Sequence, residues 1–143
     1  MDASGAAGAA GSRRWADLPG PELAARLTSE SILVLPTGAI EHHGPHLPLS
    51  TDLVMAEMLA ERIVDAAAAA GHDVWLLPAL GATKSDEHSW APGTLWLSAS
   101  TFASVINDLG RSIATSKART VLFYNGHGGN IAPLNVALRE LSR

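Results

Sequence analysis

One pattern recurs three times along this chain: a short apolar run, a polar loop dense in glycine, then a helical stretch. The apolar runs, at 31–35 (SILVL), 73–77 (DVWLL) and 120–124 (TVLFY), read as buried strands. Helical patterns follow at 53–70, 101–117 and 133–141, with a shorter one at 21–27 that starts on Pro21. Strands and helices alternating in this order define an α/β fold, with a mostly parallel sheet, right-handed crossovers and helices on both faces. In such sheets ligands bind beyond the carboxyl ends of the strands. The polar clusters at 41–52, 86–88 and 125–130 each follow a strand, so the topology brings them to one edge.

A chain of 143 residues is one domain by the usual prior. Hydrophobic residues make up 47% and charged residues 17%, which suits a packed α/β core. The net charge of −4, without a basic run, argues against nucleic acid or an anionic membrane as partner. The absence of cysteine excludes disulfides, thiol nucleophiles and thiolate metal sites. Any metal must therefore be held by imidazole and carboxylate. No apolar window approaches the ~20 residues of a membrane span. Residues 1–14 are Ala/Gly/Ser-rich, lack the hydrophobic segment of a signal peptide and are expected to be disordered. The folded domain is expected over 15–143, in the cytoplasm by default.

Residues 35–52 (LPTGAIEHHGPHLPLSTD) concentrate the chemistry, and 125–130 (NGHGGN) echo it. Glu41 and His43 are one residue apart, so in extended backbone both side chains point the same way. Asp52 returns from the start of the next helix, and His127 arrives from the loop after the third strand. These oxygen and imidazole donors suit Zn²⁺, Mn²⁺ or Fe²⁺. A bridging Asp could hold two such ions and activate a water between them. His42, His43 and His46 cannot all be ligands, and alternation with Glu41 selects His43. Blander readings exist: Asp52 as a helix N-cap, Glu41 as a solvated carboxylate at a strand end.

Other clusters carry weaker signals. The glycines at 126, 128 and 129, ahead of a helix, could cradle an anion or nucleotide through backbone N–H groups. No P-loop Lys or Ser/Thr follows them. Asp86, Glu87 and His88 read as a solvated turn, or as extra metal ligands or substrate contacts, with Glu87 and His88 the candidates for substrate contact. Trp90 is the tryptophan placed to touch a substrate. No G-x-S-x-G elbow supports a serine nucleophile.

Three segments in the same order, residues 38–52, then Ser85-Asp-Glu-His88 with Pro92-Gly-Thr94, then residues 125–130, closely resemble the creatininase (creatinine amidohydrolase) family. The resemblance implies a three-layer α/β/α fold with an incomplete sheet. It also implies a two-ion centre that hydrolyses C–N bonds of cyclic amides or formamides. Glu41, His43, Asp52 and His127 fall on metal-ligand positions, with Asp52 as the bridge and a metal-bound hydroxide as the attacking group. Homo-oligomers, commonly hexamers, are implied too. In the creatinine-hydrolysing branch the residue two after the NGH histidine is an acidic ligand; here it is Gly129. That points to the wider NGHGGN group, which includes formamide deformylases and the peptide-trimming member of the mycofactocin pathway. Family members also continue into a second run of strands with a further metal-ligand glutamate, so this chain is expected to be an N-terminal portion. The rival expectations are an inactive truncated member serving as an interaction module, and the anion- or nucleotide-binding domain.

Overall fold

The computed structural model of the protein describes residues 11–142. In chain order its elements are α1 (Gly20–Arg26), β1 (Ile32–Thr37), α2 (Thr51–Ala69), β2 (Val74–Leu76), β3 (Thr83–Lys84), β4 (Trp96–Leu97), α3 (Ala99–Ile113), β5 (Thr120–Asn125) and α4 (Ile131–Leu141). Short 3-10 turns lie at Trp15–Asp17, Asp86–His88 and Gly128–Asn130.

The main sheet has the order β2-β1-β5, with every pairing parallel. β1 takes the centre because it is apolar on both faces: residues 33–37 are all buried. Alternation along the strand divides the core. Leu33 and Leu35, with Trp75 and Leu77, face Leu23 and Leu27 and the end of α3 at Ile113. Val34, with Val74 and Leu76, faces Ala60 and Val64 of α2. Phe102, Ile106, Leu134 and Ala137 then join α3 to α4. Helices therefore cover both faces of an open parallel sheet, as the strand–helix alternation requires.

Three expectations fail, each for a physical reason. Residues 81–94, expected as loop, contain β3 and the Asp86–His88 turn; β3 pairs in parallel with β4 just beyond. Two residues cannot specify a strand locally. Thr83 is fixed by tertiary contact, fully buried with its hydroxyl donating to the Gly38 carbonyl at 2.6 Å.

The expected apolar face of α2, Val54, Met58, Leu59 and Ile63, is not the buried one. The helix buries Ala56, Ala60 and Val64 instead, leaving Val54, Met58 and Ile63 38–50% exposed. Small side chains let α2 lie close to the strands. Close packing has won over side-chain size.

The expected tail also ends early. Residues 1–10 lie outside the described residues, but Arg14 forms a parallel bridge with Leu76 on the outer side of β2, and the Leu76 N–H donates to the Arg13 carbonyl at 2.8 Å. Asp73 anchors this addition. Its carboxylate accepts from Arg13 Nη1 (2.8 Å), Trp75 Nε1 (2.9 Å), Ser31 (2.5 Å) and Thr28 (3.3 Å). Burial alone would raise the Asp73 carboxyl; the bonds from Ser31, Trp75, Arg13 and Thr28 outweigh it and hold the group below the ordinary carboxylate range. Among the described residues no helix is long and apolar enough to cross a membrane.

Candidate metal centre

The site lies beyond the carboxyl ends of β1 and β5. Gly38, the residue after β1, sits directly under α2: a Cβ there would stand 2.4 Å from the Leu53 Cα. Its lack of a side chain lets the first turn of α2 drop between the two strand ends. Asp52 belongs to that first turn. The N-cap reading is thereby corrected, because the helix starts at Thr51 after Ser50 and the Asp52 side chain turns into the site.

Asp52 splits its carboxylate between two imidazoles. Oδ1 lies 2.9 Å from His43 Nε2, and Oδ2 lies 2.9 Å from His127 Nδ1. Glu41 Oε1 stands 3.2 Å from His127 Nδ1 and 4.0 Å from His43 Nε2. All four candidate residues therefore converge.

The remaining ring nitrogens face backbone carbonyls: His43 Nδ1 is 3.0 Å from the Glu41 carbonyl, and His127 Nε2 is 2.8 Å from that of Lys84. A carbonyl can only accept, so these nitrogens carry hydrogen. In each neutral ring the lone pair then points at Asp52. Lone pair against carboxylate is a contact that a proton or a cation must satisfy. For His43, burial opposes protonation, but the Glu41 carbonyl and the carboxylates of Asp52 and Glu41 outweigh it and raise its pKa.

Glu41 is buried, and its Oε2 has no hydrogen-bond partner. An unpaired buried carboxylate oxygen is costly in the absence of a cation. Glu41, His43 and Asp52 each offer an atom within 4.8 Å of the others, as do Glu41, Glu87 and His127. Orphaned oxygen, carbonyl-fixed imidazoles and an all-O/N donor set fit a hard or borderline divalent cation.

The other candidates form the rim. His88 Nε2 lies 4.0 Å from Glu41 Oε2. Trp90 is 69% exposed and meets His42 edge-on at 5.1 Å between ring centroids. The His42 backbone N–H donates to Thr94 Oγ1 at 3.2 Å, and His46 is exposed. Glu87 Oε2 accepts from Lys84 Nζ at 2.6 Å, while Oε1 stands 3.7 Å from His127 Nε2. Burial would raise the Glu87 carboxyl, but Lys84 outweighs it and lowers the pKa. A carboxylate against the 126–130 loop is the wrong charge for an anion cradle.

Two supporting residues were not singled out from sequence. Asn130 is fully buried: its amide nitrogen donates to the carbonyl of Gly38 (3.2 Å) and to Asn125 Oδ1 (3.1 Å), and its oxygen accepts the Lys84 N–H (3.2 Å). Ser85, also fully buried, places its hydroxyl 3.2 Å from His127 Nε2. The matching asparagines at the two ends of NGHGGN were the available signal for the first.

Fold and site together define a parallel α/β protein with a carboxylate–imidazole centre at the strand ends. The family model described as creatinine amidohydrolase matches residues 16–143, and the chain belongs to the creatininase family. It is 35% identical over 111 residues to the mycofactocin precursor peptide peptidase of Mycolicibacterium smegmatis, covering 77% of this chain and 44% of that protein. Identity is 38% over 116 residues with the Mycobacterium tuberculosis protein of the same name, covering 78% and 45%. Against the creatinine amidohydrolase of Pseudomonas putida it is 29% over 135 residues, covering 87% and 50%. The chain thus spans about half the length of the curated relatives it matches. A mutant creatininase complexed with creatine superposes with a TM-score of 0.77 at 28% identity, covering 92% of this chain and 53% of that one. A structure titled "Creatininase Mn" gives 0.76 at 28% identity, with the same coverage.

Proposed function

We propose that this chain carries the metal-binding part of an amidohydrolase that cleaves a C–N bond in a small amide or peptide-derived substrate. The observation that supports the reading best is the convergence of Glu41, His43, Asp52 and His127 with one buried carboxylate oxygen left unpartnered. A divalent cation held by these residues would supply a water of lowered pKa and a Lewis acid for an amide carbonyl. The chain's own residues do the rest. Glu41 and Asp52 bring the negative charge that holds the cation. The carbonyls of Glu41 and Lys84 fix the ring orientation of His43 and His127. Trp90, His88 and Glu87 form the wall a substrate would meet. The manganese and Zn-Zn type creatininases among its structural neighbours support Mn²⁺ or Zn²⁺, and Asp52, split between two imidazoles, supports a pair of ions. Self-association is part of the proposal, supported by the exposed apolar residues Val54, Met55 and Met58 along α2.

The test is metal content, by plasma mass spectrometry, of the purified chain beside a Glu41→Ala, Asp52→Ala double variant. About one to two ions per wild-type chain, lost in the variant, is the expected result. A folded wild type that takes up neither Zn²⁺ nor Mn²⁺ would sink the reading.

A further inference from the structure

We propose that Glu87 is itself a metal ligand, admitted to the centre by the missing side chain at Gly129; this rests on the metal-centre reading above. Glu87 comes from the Asp86–His88 turn after β3, an element separate from those that supply Glu41, Asp52 and His127. Lys84 bonds to Glu87 Oε2 at 2.6 Å and to Asp86 at 2.9 Å, which leaves Glu87 Oε1 turned to the His127 ring, 3.7 Å from Nε2. The Glu41 and Glu87 carboxylates and one His127 nitrogen lie within 4.8 Å of one another, a grouping of donors that could hold a metal ion. The buried Glu41 Oε2, without a hydrogen-bond partner, is the independent sign that this group is built to meet a cation.

Gly129 is what makes the arrangement possible. A Cβ at 129 would lie 2.3 Å from Glu87 Oε1, 2.5 Å from His127 Nε2 and 2.6 Å from the Lys84 carbonyl. The first is the proposed donor, the second belongs to a ligand ring, and the third is backbone. Any side chain at 129 therefore expels Glu87. The carboxylate enters the centre through space, from a neighbouring loop.

The experiment titrates Zn²⁺ and Co²⁺ into wild type, Glu87→Gln and Gly129→Ala by calorimetry, and records the visible Co²⁺ spectrum of each. Circular dichroism checks folding. Glu87→Gln keeps the shape of the turn and removes the anionic donor. The expected result is a loss of affinity beyond the about 10–100-fold typical of an outer-sphere partner, with a changed Co²⁺ spectrum. Gly129→Ala is expected to reproduce both effects; should it fail to fold, Glu87→Gln still decides. Wild-type affinity in Glu87→Gln, or a weaker affinity with an unchanged spectrum, overturns the ligand role and leaves the metal centre standing. No binding in folded wild type overturns both readings together.

Discussion

Gly38 shows how a single absent side chain can position a functional group in the next element. The atoms a Cβ would meet there are Leu53 Cα at 2.4 Å and Leu53 N at 2.6 Å, both backbone and neither able to yield cheaply. Gly38→Ala should therefore push the first turn of α2 outward. We expect a stability loss of about 1–3 kcal/mol in urea unfolding, together with weaker Zn²⁺ binding, because Asp52 moves with the helix. The four convergent residues were legible in sequence because carboxylate and imidazole are recognisable wherever they stand. Asn130 and Ser85 were not, since their partners are the Gly38 carbonyl, the Lys84 N–H and a ring nitrogen of His127, which only folding brings near. The space Gly129 leaves for Glu87 was equally invisible, because an absent atom has meaning only beside the atoms that need its place.

Among the elements, α2 was readable in its length and misread in its facing. Residues 53–70 were expected and Thr51–Ala69 is observed. The large apolar residues suggested one stripe, and the helix buries another made of alanine and valine. Hydrophobic periodicity weights bulky side chains, so a face selected for smallness scores poorly although it packs tightest. The two faces should respond oppositely to substitution. Met58→Ala, on an exposed position, should change stability by no more than about 0.5 kcal/mol. Ala60→Leu, fully buried against Val34 and Val74, should cost about 1–3 kcal/mol through overpacking. Thermal unfolding of the two variants at one pH separates the cases. The main strands were found from sequence because each is a compact apolar run. β3 and β4, two residues each, carried no such run.

At the scale of the whole molecule, parallel strand order and helices on both faces followed from the alternation of elements. The seam that Asp73 makes between the Arg13 segment, the connection after α1 and the sheet did not. Its pKa is lowered on folding, so the unfolded chain binds the proton first. The stability it contributes is full above its unfolded value, about 4, and disappears as pH falls through the lower folded value. Wild type should exceed Asp73→Asn by about 1–3 kcal/mol near pH 7, with the gap narrowing as the pH falls below about 4; urea unfolding across that range measures it.

One amide, that of Asn130, fastens three strand ends to each other: Gly38 after β1, Lys84 of β3 and Asn125 of β5. A single side chain thus ties the strand-end side of the centre at three points, whereas on the rim His42 and Trp90 meet only edge to face and Trp90 is mostly in water. Shortening Asn130 should therefore loosen three strand ends at once.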